Sequence, residues 1–455
     1  MMAEWSRRRF LGRAAQGAAL AALPNLTAWG QQPGERPRQD STVEVLNPRG
    51  RVPLALIIDD STCLVNLNKF AVPQFEYVWD YQRPPVDWRS WPDEIPDDFV
   101  RKFVDWCGEH GVKGKYSVVP YPACVGRIDR ILPGWGWEQL DASLKLVRDH
   151  VTRDWDIHPE MVSHTWVIDT RTGHPYPERT QNYMENWGWS AGRSVDELAD
   201  YMAYALRILH NVELPCEGIT TPGGFGTRAL PELSQATLEA CRDVYRTEIP
   251  HYFRHLYAEG QESVAPRVEY AAGLGTDDPR CAVSIIGCTG DWTGGWDCQS
   301  PGEVDRFITA DLERGRMVDV IERGEPGAMV CHWTGIYYNG QEVGFKVFQE
   351  VVRRLHERYD NLTWMKLSEM ARYWAAKELT AIERQGGAVK LDAPFACPGF
   401  TVAMQGAGGP VRLGEQPLEE VAKKLDLRPG TWTAEGGGAT VCFDLRRGRS
   451  GLRLA

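Results

Sequence analysis

The sequence predicts an α/β protein, a distorted (β/α)7-type barrel with a small C-terminal β-rich appendage. Three observations carry this. Between residues 51 and 384, short apolar runs alternate with amphipathic segments, the pattern of parallel strands joined by crossover helices. Seven such runs can be counted, which suits a barrel better than an open doubly wound sheet. Beyond residue 385 the text turns Gly-rich and helix-poor, as in TWTAEGGGATVCFDLRRG, too short for an independent catalytic unit.

The elements follow in order. PLALII (53–58) reads as a buried strand. A helix is expected over about 95–110, with Phe99, Phe103, Val104 and Trp106 at helical spacing and Gly111 as its stop. GKYSVVP (114–120) is the second strand, a helix near 137–151 follows, and MVSHTWVI (161–168) is the third strand. Ser194 and Glu197 form a capping box that opens a long helix, with Leu198, Tyr201, Met202, Ala205, Leu206 and Leu209 on one stripe. CEGIT (216–220) is a strand, followed by a helix at about 229–242. AVSIIG (282–287) and AMVCH (328–332) are strands flanking a helix at about 302–323. A helix over 345–359, the strand LTWM (362–365) and a helix over 368–379 close the domain.

Residues 1–30 read as a twin-arginine signal peptide. Arg7, Arg8 and Arg9 precede Phe10 and Leu11, then the small apolar run AAQGAALAALP and a small-x-small cleavage site at Ala28-Trp29-Gly30. This predicts export by the twin-arginine (Tat) machinery to a periplasmic or extracellular location. It also predicts folding before export, which suits an enzyme that loads its metal in the cytoplasm. Residues 31–50, polar with Pro and Gly, are expected to be an exposed leader. No apolar run reaches the roughly 20 residues a membrane helix needs, so the mature protein is expected to have no membrane span.

The net charge is −11, and removing residues 1–30, with four Arg and one Glu, takes it to −14. This argues against nucleic acid and anionic membranes as partners, because both need basic patches. The eleven cysteines include no C-x-x-C pair, which excludes a zinc ribbon. Folding in a reducing compartment predicts free, buried thiols. Many of the 18 tryptophans lie in Gly/Pro-rich text, where flat rings suit stacking on sugar faces.

In barrels of this kind chemistry sits at the carboxyl ends of the strands. The polar residues expected there are Asp59, Asp60, His164, Thr221, Asp291 and His332. The adjacent carboxylates Asp59 and Asp60 admit two readings. Asp60 with Ser61 and Thr62 caps the next helix, or one carboxylate ligates a metal while the other moves a proton. His164 and His332 end strands, and Asp291-Trp292 lies just past one in GCTGDWTGG, where glycines allow close backbone approach.

Taken in order over about residues 53–375, this set resembles the polysaccharide deacetylase family, carbohydrate esterases of the chitooligosaccharide-deacetylase-like fold. Ile58-Asp59-Asp60 resembles the first motif, Glu160-Met-Val-Ser-His164-Thr165-Trp166 the start of the second and TTPGGFG (220–226) the third. Asp291-Trp292 resembles the fourth motif and Val330-Cys331-His332 the fifth. The resemblance implies a divalent metal, expected to be zinc, on Asp60 and His164, with Asp59 as general base and His332 as general acid. It implies removal of N- or O-acetyl groups from a carbohydrate partner, an oligo- or polysaccharide.

The sequence departs from the family at three places. Four residues after His164, where a second ligand His is usual, stands Ile168. Asp169 is the nearest replacement ligand, and His174 and His158 are others. Thr220 or Thr221 stands where an Arg usually orients the base, and Cys288 where the fourth motif's leading Asp is expected. Two other functions therefore stay open: a glycoside hydrolase using Asp59 and Asp291 as its carboxylate pair, and a carbohydrate-binding protein without catalysis. Expected substrate contacts are Trp166, Pro222, Gly223 and Trp292, with Asn182 and Trp187 from the insert over 173–192.

Overall fold

The computed structural model describes residues 34–78, 86–406 and 409–454. The predicted signal peptide lies outside them. Seven parallel strands form the central sheet: β1 Val52–Asp59, β2 Gly114–Ser117, β3 Trp155–His158, β4 Gly218–Thr220, β5 His251–Leu256, β6 Arg280–Gly287 and β7 Gly327–His332. Their spatial order is β3-β2-β1-β7-β6-β5-β4. The two edge strands, β3 and β4, meet at a single parallel bridge between Glu160 and Thr220. The sheet is a nearly closed (β/α)7 barrel with a seam at β3 and β4, as the sequence predicts.

Residues alternate between two cores, as the strand period requires. Leu54, Leu56 and Ile58 of β1 join the core shared with the outer helices. Ala55 and Ile57 join a second core with Val283 and Ile285 of β6 and Ala328 and Val330 of β7. The outer helices are α1 Leu67–Val78, α2 Asp97–Glu109, α3 Trp137–Asp149, α4 Val195–Asn211, α5 Leu230–Tyr245, α6 Arg316–Glu322 and α7 Val343–Arg358. Helix α4 starts where its capping box predicts: Ser194 Oγ accepts from Glu197 N at 3.3 Å, and Glu197 Oε2 accepts from Ser194 N at 2.9 Å.

Several elements differ from the sequence reading. The third barrel strand is Trp155–His158, and most of 161–168 is an irregular loop. That loop turns through left-handed backbone at Met161 and His164, which no strand accommodates. Strand β5 went unrecognised because His251, Arg254 and His255 break its apolar run. The predicted last strand, here Leu362–Trp364, pairs with the start of β1. The helix expected over 302–323 is broken into Val304–Phe307 and α6. Between β5 and β6 an antiparallel strand, Arg267–Ala272, replaces a helix.

Helix α8, Leu367–Leu379, leads into two five-stranded sheets built from residues beyond 380. The stretch before the barrel is no free leader: Val43–Val45 pairs antiparallel with Cys397–Gln405 and completes one of these sheets. Both sheets, α8 and the inward residues of β1, β6 and β7 share one apolar core. All eleven cysteines are unpaired thiols, ten of them buried, as folding in a reducing compartment predicts. Among the described residues no helix is long and apolar enough to cross a membrane.

Candidate metal and active site

The carboxyl end of β1 explains why adjacent carboxylates are not duplicates. Asp59 is the last strand residue, in register with His332 of β7. Asp60 then adopts a left-handed conformation, φ 61°. This turn sends the two side chains to different neighbours. A non-glycine residue held there is mildly strained, a feature that clusters at functional sites.

Asp60 faces His164 and Glu160. His164 Nε2 lies 2.7 Å from Asp60 Oδ1 and 3.5 Å from Glu160 Oε1. The other oxygen of each carboxylate is committed: Asp60 Oδ2 accepts from Asn68 Nδ2 at 2.8 Å, and Glu160 Oε2 accepts from Asp60 N at 2.8 Å. The oxygens turned toward His164 remain, and the three donor atoms all lie within 4.8 Å of one another. Asp60 Oδ1 is buried without a hydrogen bond of proper geometry. An orphaned carboxylate oxygen beside an imidazole nitrogen and a second carboxylate fits a shared divalent cation.

The electrostatics agree. Burial opposes charge on the His164 ring, but Asp60 and Glu160 outweigh it and hold its pKa well above the ordinary value. Burial would likewise raise both carboxyls, yet His164 holds Asp60 and Glu160 below their usual range. The cluster is built for positive charge at its centre.

A buried carboxylate, Glu185, positions His164. It accepts from the backbone N–H groups of Ser163 at 2.9 Å and His164 at 2.5 Å, and from the Tyr201 hydroxyl of α4. Burial pushes its carboxyl up to about 7 despite these donors.

Asp59 faces Lys115, which is fully buried on β2. Lys115 Nζ donates to Asp59 Oδ1 at 2.5 Å, to Ile58 O at 2.9 Å and to Ser117 Oγ at 2.7 Å. Burial pushes the Asp59 carboxyl up to about 6, against the pull of Lys115. Lys115 is thus the buried cation paired with Asp59. A second cation, Arg254 of β5, donates to Thr221 Oγ1 at 3.1 Å, and Asp59 opposes the burial that lowers its pKa. On the other side of Asp59, His332 Nδ1 lies 2.8 Å from Asp291 Oδ2. Burial disfavours the charged ring, but Asp291 and Asp60 raise its pKa to about 10.

The structure therefore brings Asp59, Asp60, His164, Asp291 and His332 together, and supplies Glu160, Lys115 and Glu185 in addition. Asp169 is not in the cluster. It sits in a two-stranded ribbon opposite His174 and binds Arg171, Nε to Oδ1 at 3.1 Å. His158 belongs to a different cluster.

Among the expected substrate contacts, Trp166 and Trp292 are buried under Arg179 and Arg306, whose guanidinium carbons lie 4.8 and 4.1 Å from the ring centroids. Pro222 and Gly223 lie in the loop after β4, where Gly224 N donates to Asn186 O of the insert at 2.6 Å. Asn182 is in an exposed turn and Trp187 is 43% exposed.

Fold and site together define the class: a (β/α)7 barrel protein with a carboxylate–imidazole cluster able to hold a divalent cation at its strand ends. No family profile matches the sequence, and no curated protein matches it. Among solved structures, the chain is similar to a probable polysaccharide deacetylase from Pseudomonas aeruginosa PAO1 (11% identity, 77% of this chain and 98% of that one, TM-score 0.38). It is also similar to a putative glycoside hydrolase/deacetylase from Parabacteroides distasonis (12%, 79% and 82%, TM-score 0.41). A third similar structure is an allantoinase (11%, 78% and 98%, TM-score 0.36).

Proposed function

We propose that the protein is an exported, metal-dependent hydrolase that removes N- or O-acetyl groups from a carbohydrate. The observation that carries this reading is the placement of a metal-capable triad, Asp60, Glu160 and His164, beside a separate base–acid pair, Asp59 and His332. A divalent ion on the triad, with zinc suited to these ligands, would polarise the acetyl carbonyl and acidify a water.

The chain's own groups do the proton transfers. Asp59, pushed up to about 6, is ionised yet basic enough near neutral pH to take a proton from the attacking water. Lys115 keeps it charged and oriented. His332, held protonated by Asp291, gives a proton to the leaving amine or alkoxide. Because Asp291 is engaged with His332, it is a positioning residue and not one of a free carboxylate pair.

Acetate release from acetylated chito- and xylo-oligosaccharides, set against release of new reducing ends, tests the reading. Acetate is expected, and Asp59→Asn should lower turnover by roughly 10²–10⁴-fold, the usual worth of a general base, with the bound metal retained. New reducing ends without acetate would replace the reading with glycosidic cleavage.

A further inference from the structure

A second constellation lies deeper in the barrel and takes no part in the proposed chemistry. His158 ends β3 and His251 begins β5; both rings are fully buried, with their Nε2 atoms 2.9 Å apart. Asp156, two residues before His158 and so on the same strand face, places Oδ2 3.9 Å from His251 Nε2. All three donor atoms lie within 4.8 Å of one another.

We infer that Asp156, His158 and His251 form a second, structural divalent-metal site inside the barrel, distinct from the triad at the strand ends. Two imidazoles and one carboxylate suit a borderline transition ion such as Zn²⁺ and disfavour Mg²⁺ or Ca²⁺, which prefer all-oxygen sets.

Three features show a built site. First, the space is kept open by a glycine: a Cβ on Gly218 would lie 2.7 Å from His158 Nε2 and 2.8 Å from His251 Cδ2. Second, outer partners orient two of the three ligands, His158 and Asp156, as metal sites use them. Thr220 Oγ1 lies 3.3 Å from His158 Nδ1, while Ser368 at the start of α8 donates N–H to Asp156 Oδ2 at 2.6 Å and O–H to Oδ1 at 2.9 Å. Third, the nearby ammonium groups are engaged elsewhere: Lys115 is bonded to Ile58, Asp59 and Ser117, and Lys366 donates to Thr152 O.

The location gives the ion a task. The seam between β3 and β4 is closed by the one Glu160–Thr220 bridge. Across that seam the cluster links β3 to β5, one strand beyond β4. An ion there staples the barrel shut two residues below Glu160 and so holds a ligand of the first site in place.

Metal counting on the purified full chain by inductively coupled plasma mass spectrometry tests this. The wild type is expected to hold two ions, and His164→Ala and His251→Ala one each. His164→Ala should lose thermal stability when its remaining ion is stripped by a chelator, and its Co²⁺ form should show d–d bands. A metal-free His164→Ala, or a wild type whose single ion that substitution removes, overturns the inference. If His251→Ala does not fold, the count in His164→Ala decides. Acetate release plays no part in this count, so failure of the deacetylase reading would leave it unchanged.

Discussion

Glu160 and Asp169 are both carboxylates near His164 in sequence, and geometry separates them. Glu160 lies four residues before His164 and points at the same centre, while Asp169, five residues after, is turned away to Arg171. Glu160→Ala should therefore abolish metal binding at this site, and Asp169→Ala should leave metal content and turnover near wild type, both measured by metal analysis and acetate release. Ile168 stands four residues after His164, whereas the carboxylate that faces the cluster, Glu160, stands four residues before it. The candidates Asp169, His174 and His158 lie on both sides of His164 in sequence, and only the fold singles out Glu160. Lys115 did leave a signal: a lysine within the apolar run GKYSVV is out of place unless it is paired inside. Glu185 left none, because its partners are backbone amides of a loop whose shape the sequence does not disclose. At the second histidine, Asp291 raises the pKa of His332. Asp291→Asn should lower that pKa, so the acid loses its proton at lower pH. The alkaline limb of the pH–rate profile should then move down by roughly 1–3 units, the effect of one close opposite charge.

Strands and helices were legible where periodicity was clean and obscure where function interrupts it. Helices α2, α4 and α7 follow apolar stripes and stop signals. Strand β5 and the 161–168 loop did not, because the same positions carry polar groups facing the barrel interior or left-handed backbone at the site. Gly114, in the motif HGVKGKYSVV, has a packing reason that only the sheet reveals: a Cβ there would lie 1.8 Å from Leu56 O. Gly114→Ala should force β2 away from β1, displacing Lys115 from Asp59. A loss of about 1–3 kcal/mol, in line with other overpacked positions, is expected in denaturant unfolding, with turnover falling alongside it.

On the scale of the whole molecule, the C-terminal sheets are not a detachable module. Their core residues, among them Val389, Phe400 and Val441, join the core that contains Ala55 and Ile57 of β1. Removing residues 385–455 should yield insoluble or unfolded barrel, seen by size exclusion and circular dichroism; a soluble, metal-binding remainder would show the two parts to be independent. The composition change near residue 385 marked this region, but it could not disclose that Val43–Val45 belongs to it, since strand partners as far apart as Val43 and Met404 leave no local trace. Asp60, Glu160 and His164 are placed to share one divalent ion. Anomalous diffraction at the zinc edge from crystals of the zinc-loaded protein tests it most directly. A peak bonded to Asp60 Oδ1, Glu160 Oε1 and His164 Nε2 is the predicted result, and no anomalous density at that point, with His164 bonded to Asp60 alone, would contradict it.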